Sequence, residues 1–303
     1  MPVRVRIDKA LIAQAADAAD AADAADAARS ADAILQFLAR QFARHFVPIY
    51  FHASKGSEVV QVAHSAFAFS INGRWLLLTA GHCVREMLDA QRFGYVIEHC
   101  RLVHGLGEGA QYVPLVMDRR DGCEGVFMKD TVQFNYSGDN AKVVFDDDKW
   151  DYGVLFISDN ERGLLQAKGI VPFDESTWDE EPVEANWFHL LGTPGELLDV
   201  NLHSVSLVTV RMGLVKLAEK PDDFPVTDSP RFYGRLHELP PFRLKGMSGG
   251  PILNAMPDPE DPHQVLYWLH ALDVSTLPRN QQYISAMLIR PVVDELRALA
   301  AGR

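Results

Sequence analysis

The sequence predicts an all-β fold built of antiparallel β-barrels. Short apolar or alternating runs recur between polar turn signals, as in residues 202–216, and this pattern is typical of barrels. A hairpin is indicated at Asn72-Gly73, because this dipeptide readily adopts the positive φ angles of a two-residue hairpin turn. With 303 residues, 48% of them hydrophobic, the chain can form one large domain or two small barrels that share a core.

Residues 1–47 predict a helical extension ahead of the β region. Residues 13–28 are nearly all alanine with aspartate at every third position; alanine favours helix, but a period of three leaves no fixed polar face. Residues 34–46 carry an apolar stripe at helical spacing, which we expect either to pack on its own domain or to dock a partner or a second copy of the chain. The stripe comprises Leu35, Leu38, Phe42 and Phe46. Pro48 ends this helix.

The remaining residues, 48–303, are expected to form two β-rich halves. These halves are roughly 48–170 and 171–290, and a C-terminal helix over 291–301 follows them. The strands expected in the two halves are 59–62, 66–71, 74–79, 187–191, 202–216, 265–274 and 283–289.

The charge balance is acidic, with 41 Asp and Glu against 29 Lys and Arg and a net charge of −12. An acidic surface repels phosphate backbones, so we expect no nucleic acid partner. No run approaches the apolar length of a membrane span, and charged residues interrupt the N-terminus where a signal peptide needs an apolar core. We therefore expect no membrane contact.

Potential metal ligands cluster in one part of the first half. His99, Cys100, His104 and Cys123 offer enough donors for a zinc ion, but their spacing matches no established zinc pattern. We therefore expect ordinary surface or core residues there, and neither a metal nor another cofactor.

The motif at residues 246–251 (GMSGGP) is typical of a nucleophilic serine. Glycines on both sides of Ser248 let the backbone expose the hydroxyl. In the same loop the N–H groups of Gly246 and Ser248 can point at one spot and form an oxyanion hole, which stabilises charge that develops on a substrate carbonyl.

A serine nucleophile needs a base and a group that orients the base. Residues 78–83 (LTAGHC) place His82 after an apolar strand, and its ordinary pKa suits it to act first as general base and then as general acid. Asp151 opens another apolar run and is the candidate to hold the imidazole ring and stabilise the imidazolium.

These three positions, in the order His82, Asp151, Ser248, resemble the trypsin-like (chymotrypsin-fold) serine peptidases, in a bacterial cytoplasmic form. That family has its histidine in T-A-x-H-C, its serine in G-x-S-G-G-P and its aspartate at the start of a short apolar strand; all three patterns occur here. The resemblance covers roughly residues 48–300. It implies two six-stranded antiparallel barrels with the active site between them, and a cofactor-free endopeptidase that forms an acyl-enzyme on Ser248.

The resemblance also implies where a protein or peptide substrate would bind. By ungapped counting from the serine, Phe242 stands at the base of the specificity pocket, and Lys245, Asp273 and Ser275 are further substrate-binding candidates. Trypsin itself carries an acid at that base, whereas this chain has the apolar Phe242. The resemblance therefore favours substrates with small or apolar side chains beside the cut bond over substrates with basic ones.

Two features depart from the secreted members of the family. Met247 stands where enzymes activated by cleavage have an aspartate that captures a new N-terminus, so we expect no activation by that route. Cys83 has Phe67 where secreted relatives have its bridging cysteine. Together with the odd number of cysteines, the missing bridge predicts a reducing, cytoplasmic location.

Part of the serine motif also fits another class of hydrolase. Residues 246–250 also fit the nucleophile elbow of α/β-hydrolases, but that fold needs the acid and then the histidine after the serine. The candidates His263, His270 and Asp273 come too early and too close together for it. Two alternatives stay open: a catalytically silent peptidase fold that acts as a peptide- or protein-binding module, and a peptidase gated by a partner on residues 34–46.

Overall fold

The structure is a computed structural model that describes residues 3–6, 37–104, 112–113, 124–128, 130–133, 141–146, 150–174, 177, 187–200, 205–261, 263–276 and 282–301. The strands in these residues are β1 (Val3–Arg6), β2 (Ile49–Lys55), β3 (Glu58–His64), β4 (Phe67–Ile71), β5 (Arg74–Ala80), β6 (Val96–His104), β7 (Tyr112–Val113), β8 (Glu124–Met128), β9 (Asp130–Gln133), β10 (Ala141–Asp146), β11 (Trp150–Phe156), β12 (Trp187–Gly192), β13 (Leu198–Val200), β14 (Val205–Lys216), β15 (Arg231–Leu236), β16 (Pro251–Pro257), β17 (Gln264–Thr276) and β18 (Tyr283–Leu288). The α-helices are α1 (37–43), α2 (Gly81–Arg92), α3 (Asp159–Ala167) and α4 (Ile289–Ala301), and a 3-10 turn spans Gly195–Leu197.

The second half of the chain forms a closed six-stranded antiparallel barrel. Its strands follow the order β12-β16-β17-β18-β15-β14, and β14 pairs back onto β12 to close the ring. Alternate side chains of a barrel strand face the interior, and here an apolar cluster fills it. Members of this cluster include Leu190, Met212, Ile252 and Ile284. The predicted all-β class is confirmed, with one closed barrel.

The first half differs from the predicted barrel. It forms two four-stranded sheets, in the orders β10-β11-β5-β4 and β3-β2-β6-β9, and within the described residues no strand pairing joins them. The two sheets instead bury a shared apolar cluster, to which Phe51, Leu77 and Leu155 belong. The hairpin between β4 and β5 turns at Asn72 and Gly73, whose φ angles are +49° and +73°, as the sequence predicts. A second closed six-stranded barrel is not confirmed.

The N-terminal segment is partly strand rather than a helical extension throughout. Strand β1 pairs antiparallel with β17, with Val3 opposite Tyr267; this pairing is long-range and leaves little trace in a four-residue run. The Ala/Asp repeat at 13–28 lies outside the described residues. In α1 and just after it, Leu38, Phe42 and Phe46 are 0–1% exposed in the chain's own core. The described part of the stripe therefore packs on its own domain, and association through 34–46 stays an untested prediction.

The remaining helices lie around these sheets. The predicted C-terminal helix is present as α4, which begins at Ile289 and packs on β17, β18 and β4. Helix α3 begins with a capping box formed by Ser158 and Glu161. Helix α2 was not predicted from the sequence. None of the helices in the described ranges is both long and apolar enough to span a membrane.

Candidate active site

Asp151 holds His82 through two hydrogen bonds. Strand β11 pairs with β5, with Tyr152 opposite Ala80, and this register brings the start of β11 beside the start of α2. Asp151 Oδ1 accepts from the His82 backbone N–H at 2.8 Å, and Oδ2 lies 2.8 Å from His82 Nδ1. The carboxylate thus fixes both the position of the histidine backbone and the orientation of its ring.

Gly81 is required by this contact, a role that the sequence analysis did not assign. A Cβ atom at this position would lie 2.8 Å from Asp151 Oδ1 and 3.0 Å from the backbone N of Tyr152. The side chain is absent where the aspartate must approach the helix start. The sequence does carry a signal for this close contact: glycine is unfavourable in a helix, so a glycine at the start of α2 indicates a position where a side chain would not fit.

The loop that carries Ser248 depends on two glycines in the left-handed region. Gly246 has φ +96° and Gly249 has φ +91°, a conformation that side chains disfavour. A Cβ atom on Gly249 would collide with the carbonyl oxygen of Ser65 and with Thr79 Oγ1. The backbone around the serine therefore lies directly against the strands that lead to His82.

Hydrogen bonds through Ser65 join the serine loop to both halves of the chain. Ser65 Oγ donates to the carbonyl of Gly246 at 2.7 Å and accepts from the backbone N–H of Thr193 at 2.9 Å. Thr79 Oγ1 donates to the Ser65 carbonyl at 2.6 Å. Sequence reasoning missed Ser65, and its only signal is a polar residue between the end of β3 and the buried strand β4.

Ser248 and His82 line the same cleft, which has a volume of about 460 Å³. Other lining residues are Gln61, Val62, Ala63, His64, Cys83, Glu86, Gly195, Glu196, Leu198, Arg243, Leu244, Lys245 and Gly246. In the described part of the chain, the N–H groups of Gly246 and Ser248 donate to no backbone or side-chain acceptor. They are therefore available to a ligand in the cleft.

The charge on His82 is set by its partners. Burial alone would lower the pKa of His82, but the hydrogen bond and charge of the Asp151 carboxylate and the contact with Cys83 together outweigh burial and raise the pKa above its ordinary value of 6.5. The raised pKa favours the protonated ring, as expected for an imidazole whose Nδ1–H points at a carboxylate.

The predicted substrate-binding residues fall in different environments. Lys245 is exposed and lines the cleft beside Gly246. Phe242 is 7% exposed and packs in the core of the closed barrel. Ser275 lies on β17 opposite Ser285. The structure therefore brings only Lys245 to this cleft, and the roles assigned to Phe242 and Ser275 stay predictions.

Asp273 is fully buried rather than placed on a pocket surface. Its backbone N–H donates to Gly250 and its carbonyl accepts from the Gly249 N–H at 2.7 Å, so it supports the serine loop. Burial raises the pKa of Asp273 to about 8, which leaves the carboxyl mostly protonated at neutral pH. The substrate-binding role predicted for Asp273 stays an untested prediction.

The remaining predictions concern Met247 and the metal candidates. Met247 is buried against Gly192, where a Cβ would meet its thioether sulfur. His99 and Cys100 lie on β6, while Cys123 and the His104 side chain fall outside the described residues. Across the residues that the structure describes, no three metal-ligating side chains converge on one point.

Comparisons with known proteins give matches among solved structures alone. No family model and no curated protein matches the chain. It is similar to the thermostable serine protease AL20 from an extremophilic microorganism, at 10% identity and a TM-score of 0.43 over 85% of this chain and 97% of that one.

Two further matches are a protease and an inactivated paralogue. The Rv3671c protease from M. tuberculosis, in its active form, is 15% identical with a TM-score of 0.41, over 85% of this chain and 82% of that one. The scabies mite inactivated protease paralogue S-I1 is 15% identical with a TM-score of 0.48, over 84% of this chain and 94% of that one. The solved structures that this chain resembles are serine proteases of the trypsin/chymotrypsin fold.

Proposed function

We propose that this protein is a serine endopeptidase that uses His82, Asp151 and Ser248. The observation that carries the proposal is the double hydrogen bond from Asp151 to His82, at 2.8 Å to the backbone N–H and 2.8 Å to Nδ1. With Nδ1 occupied as a donor, the neutral ring presents Nε2 as an acceptor, the tautomer that a general base for a serine needs. Ser248 lies in the same cleft.

In the proposed reaction, His82 Nε2 takes the hydroxyl proton as Ser248 Oγ attacks the peptide carbonyl. The unpaired N–H groups of Gly246 and Ser248 would bind the oxygen as it becomes negative. His82 then returns the proton to the leaving amine, and the acyl-enzyme on Ser248 is hydrolysed by water that His82 activates. Asp151 stabilises the imidazolium through both stages.

The proposed location is the cytoplasm. Cys83 and Cys100 are both free thiols, each at most 2% exposed, and free buried thiols suit a reducing compartment. A protein or peptide substrate is the proposed partner, and Lys245, on the rim of the cleft, is the residue we place nearest to it.

Labelling with a fluorophosphonate probe tests the proposal without a known substrate. We expect one adduct per wild-type chain by intact mass and none on Ser248→Ala, because only a serine deprotonated by a neighbouring base reacts at a useful rate. Circular dichroism must show that both proteins are folded. A wild-type adduct that survives in Ser248→Ala would place the reactive nucleophile elsewhere and contradict the assignment.

A second candidate is a peptidase fold that binds a peptide or protein but turns over only with a partner, or not at all. One observation favours it: within the described ranges, no hydrogen bond joins His82 Nε2 to Ser248 Oγ. In a constitutive peptidase this bond would form when substrate binds. In the second candidate it would form when a partner docks, or not at all. A folded wild-type chain that takes up no probe would support this candidate.

The labelling rate is expected to fall as the pH drops. The base must be neutral, so activity is lost as His82 is protonated through its raised pKa; the midpoint of the decline should therefore lie above pH 6.5. The measurement is the second-order rate of fluorophosphonate labelling across pH, with circular dichroism at each pH as the control for unfolding. A midpoint below 6.5 would show that Asp151 does not stabilise the imidazolium.

A further inference from the structure

Cys83 forms part of the wall of the Ser248 cleft. It is the third residue of α2, and its Sγ lies 3.6 Å from the carbonyl oxygen of Ser248. Although only 2% exposed, it lines the cleft together with His82. The thiol is not in a disulfide, so the cleft holds a second nucleophilic atom that the proposed reaction does not use.

His64 is a base in the same wall. It ends β3, its side chain is 6% exposed, and within the described chain its buried Nε2 has no hydrogen bond. The nearest carboxylate oxygen, Glu86 Oε2, lies 3.7 Å from that nitrogen. His64, Cys83 and Glu86 all line the cleft. The cleft wall thus holds a thiol, an imidazole that can take its proton, and a carboxylate that can orient the imidazole. These are the groups that activate cysteine nucleophiles.

The surroundings of the thiol favour its ionised form. Burial opposes ionisation of Cys83, but the charge and hydrogen bonding of His64, and then of His82, outweigh burial and lower the pKa to about 6. The titratable groups around it are His64 from β3, His82 and Glu86 from α2, and Asp273 from β17. Cys100 is equally buried, but its charged neighbour is Glu161 rather than a histidine, and burial raises its pKa to about 12. We therefore expect these two buried thiols to differ in reactivity.

We infer that Cys83, activated by His64 and Glu86, is a modification site for low-molecular-weight disulfides, and that the resulting mixed disulfide closes the cleft of Ser248. The second part rests on the proposed function. In the exchange, His64 takes the thiol proton and Cys83 Sγ attacks one sulfur of the reagent. An Sγ–S bond forms as the S–S bond breaks, and the leaving thiolate takes the proton from His64. A reducing thiol reverses the reaction by the same exchange.

The adduct would block the cleft because of where the sulfur lies. Cys83 lines the cleft together with Ser248, His82 and Gly246, and its Sγ lies 3.6 Å from the Ser248 carbonyl, so we expect a group attached to Sγ to occupy the space that these residues share. The modification would therefore link the activity of the serine to the thiol–disulfide balance of its surroundings.

The test uses the full chain and bis(2-hydroxyethyl) disulfide, a small uncharged reagent. Peptide mapping by mass spectrometry is expected to find the adduct on Cys83 and not on Cys100, with Cys123 scored separately. Fluorophosphonate labelling of Ser248 is then expected to fall in proportion to Cys83 modification and to recover with dithiothreitol. In Cys83→Ser the disulfide should leave labelling at that variant's own untreated rate, which controls for modification at Cys123.

His64→Gln tests the role of the imidazole. At pH 6.5 we expect Cys83 modification to slow roughly fivefold in this variant. Without His64 a smaller fraction of Cys83 is thiolate, but each thiolate is more nucleophilic because its pKa is higher, and this partly offsets the loss. The midpoint of the rate against pH should move upward toward that of an ordinary thiol, an effect that a loss of packing alone would not produce.

The outcomes separate the two proposals. Equal modification of Cys83 and Cys100, or none on Cys83, overturns the thiol site. Modification of Cys83 with unchanged Ser248 labelling overturns closure of the cleft. If the wild-type chain is never labelled by fluorophosphonate, the proposed peptidase function is contradicted. The peptide map still decides whether Cys83 is the modification site.

Discussion

Asp151→Asn is expected to lower the rate of fluorophosphonate labelling by about 10⁴-fold. Asparagine retains one oxygen, which can accept from the His82 backbone N–H as Oδ1 does now. Its amide NH₂ then faces His82 Nδ1, where Oδ2 lies at 2.8 Å in the native protein. Nδ1 must then accept a hydrogen bond from that amide, so the neutral ring carries its proton on Nε2. A protonated Nε2 cannot take the proton of Ser248.

Asp159→Asn is the matched control for this variant. It removes the same charge from an exposed aspartate at the start of α3 that pairs with Arg162 at 3.2 Å. Its labelling rate should stay close to that of wild type, and both variants should have circular dichroism spectra like that of wild type. A loss of less than tenfold in Asp151→Asn would mean that the His82–Asp151 contact is structural rather than part of proton transfer.

Gly249→Ala is expected to lower the free energy of unfolding by at least about 4 kcal/mol, enough to prevent stable folding in a marginally stable chain. A left-handed φ of +91° alone costs about 1–2 kcal/mol for alanine. In addition, the new Cβ would collide with the Ser65 carbonyl and Thr79 Oγ1 and lie 3.0 Å from the Ala80 N. These atoms cannot move apart easily, because Thr79 and Ser65 are hydrogen-bonded to each other.

Gly169→Ala separates the two costs. Gly169 has φ +81°, but a Cβ there would meet nothing within 4 Å, so only the conformational cost applies. Urea unfolding should show a loss of about 1–2 kcal/mol for this variant. If Gly249→Ala loses no more than Gly169→Ala, the close approach of the serine loop to β5 is not present in solution.

Local signals in the sequence predicted some parts of the fold well. The Asn72-Gly73 turn needs only its own two residues, and α4 follows from the apolar spacing of residues 291–301. Strand β1 depends on pairing with β17, more than 250 residues away, which no local pattern encodes. Helix α2 has a helical pattern in Cys83, Val84 and Met87, but the motif around His82 predicts only the end of a strand.

In the candidate site, too, local motifs could be predicted and contacts between distant segments could not. The flanks of His82, Asp151 and Ser248 are sequence motifs, so these residues could be named before their contacts were known. His64, which lines the same wall as Cys83, could not be named, because it belongs to no motif and only the fold brings the end of β3 beside α2. Phe242 was assigned by ungapped counting, and such counting cannot show that the side chain points into the barrel core.

The pairing of β1 with β17 affects how the Ala/Asp repeat can change in length. The chain pairs with the barrel at residues 3–6 and is described again from residue 37, where it packs against the core. Both ends of the segment that carries the repeat at 13–28 are therefore anchored. For any flexible segment closed at both ends, the entropy of closure depends on the logarithm of its length, about 0.6 kcal/mol for each doubling. We therefore expect gain or loss of a few three-residue units to change the free energy of folding much less than a change in the anchoring strand would.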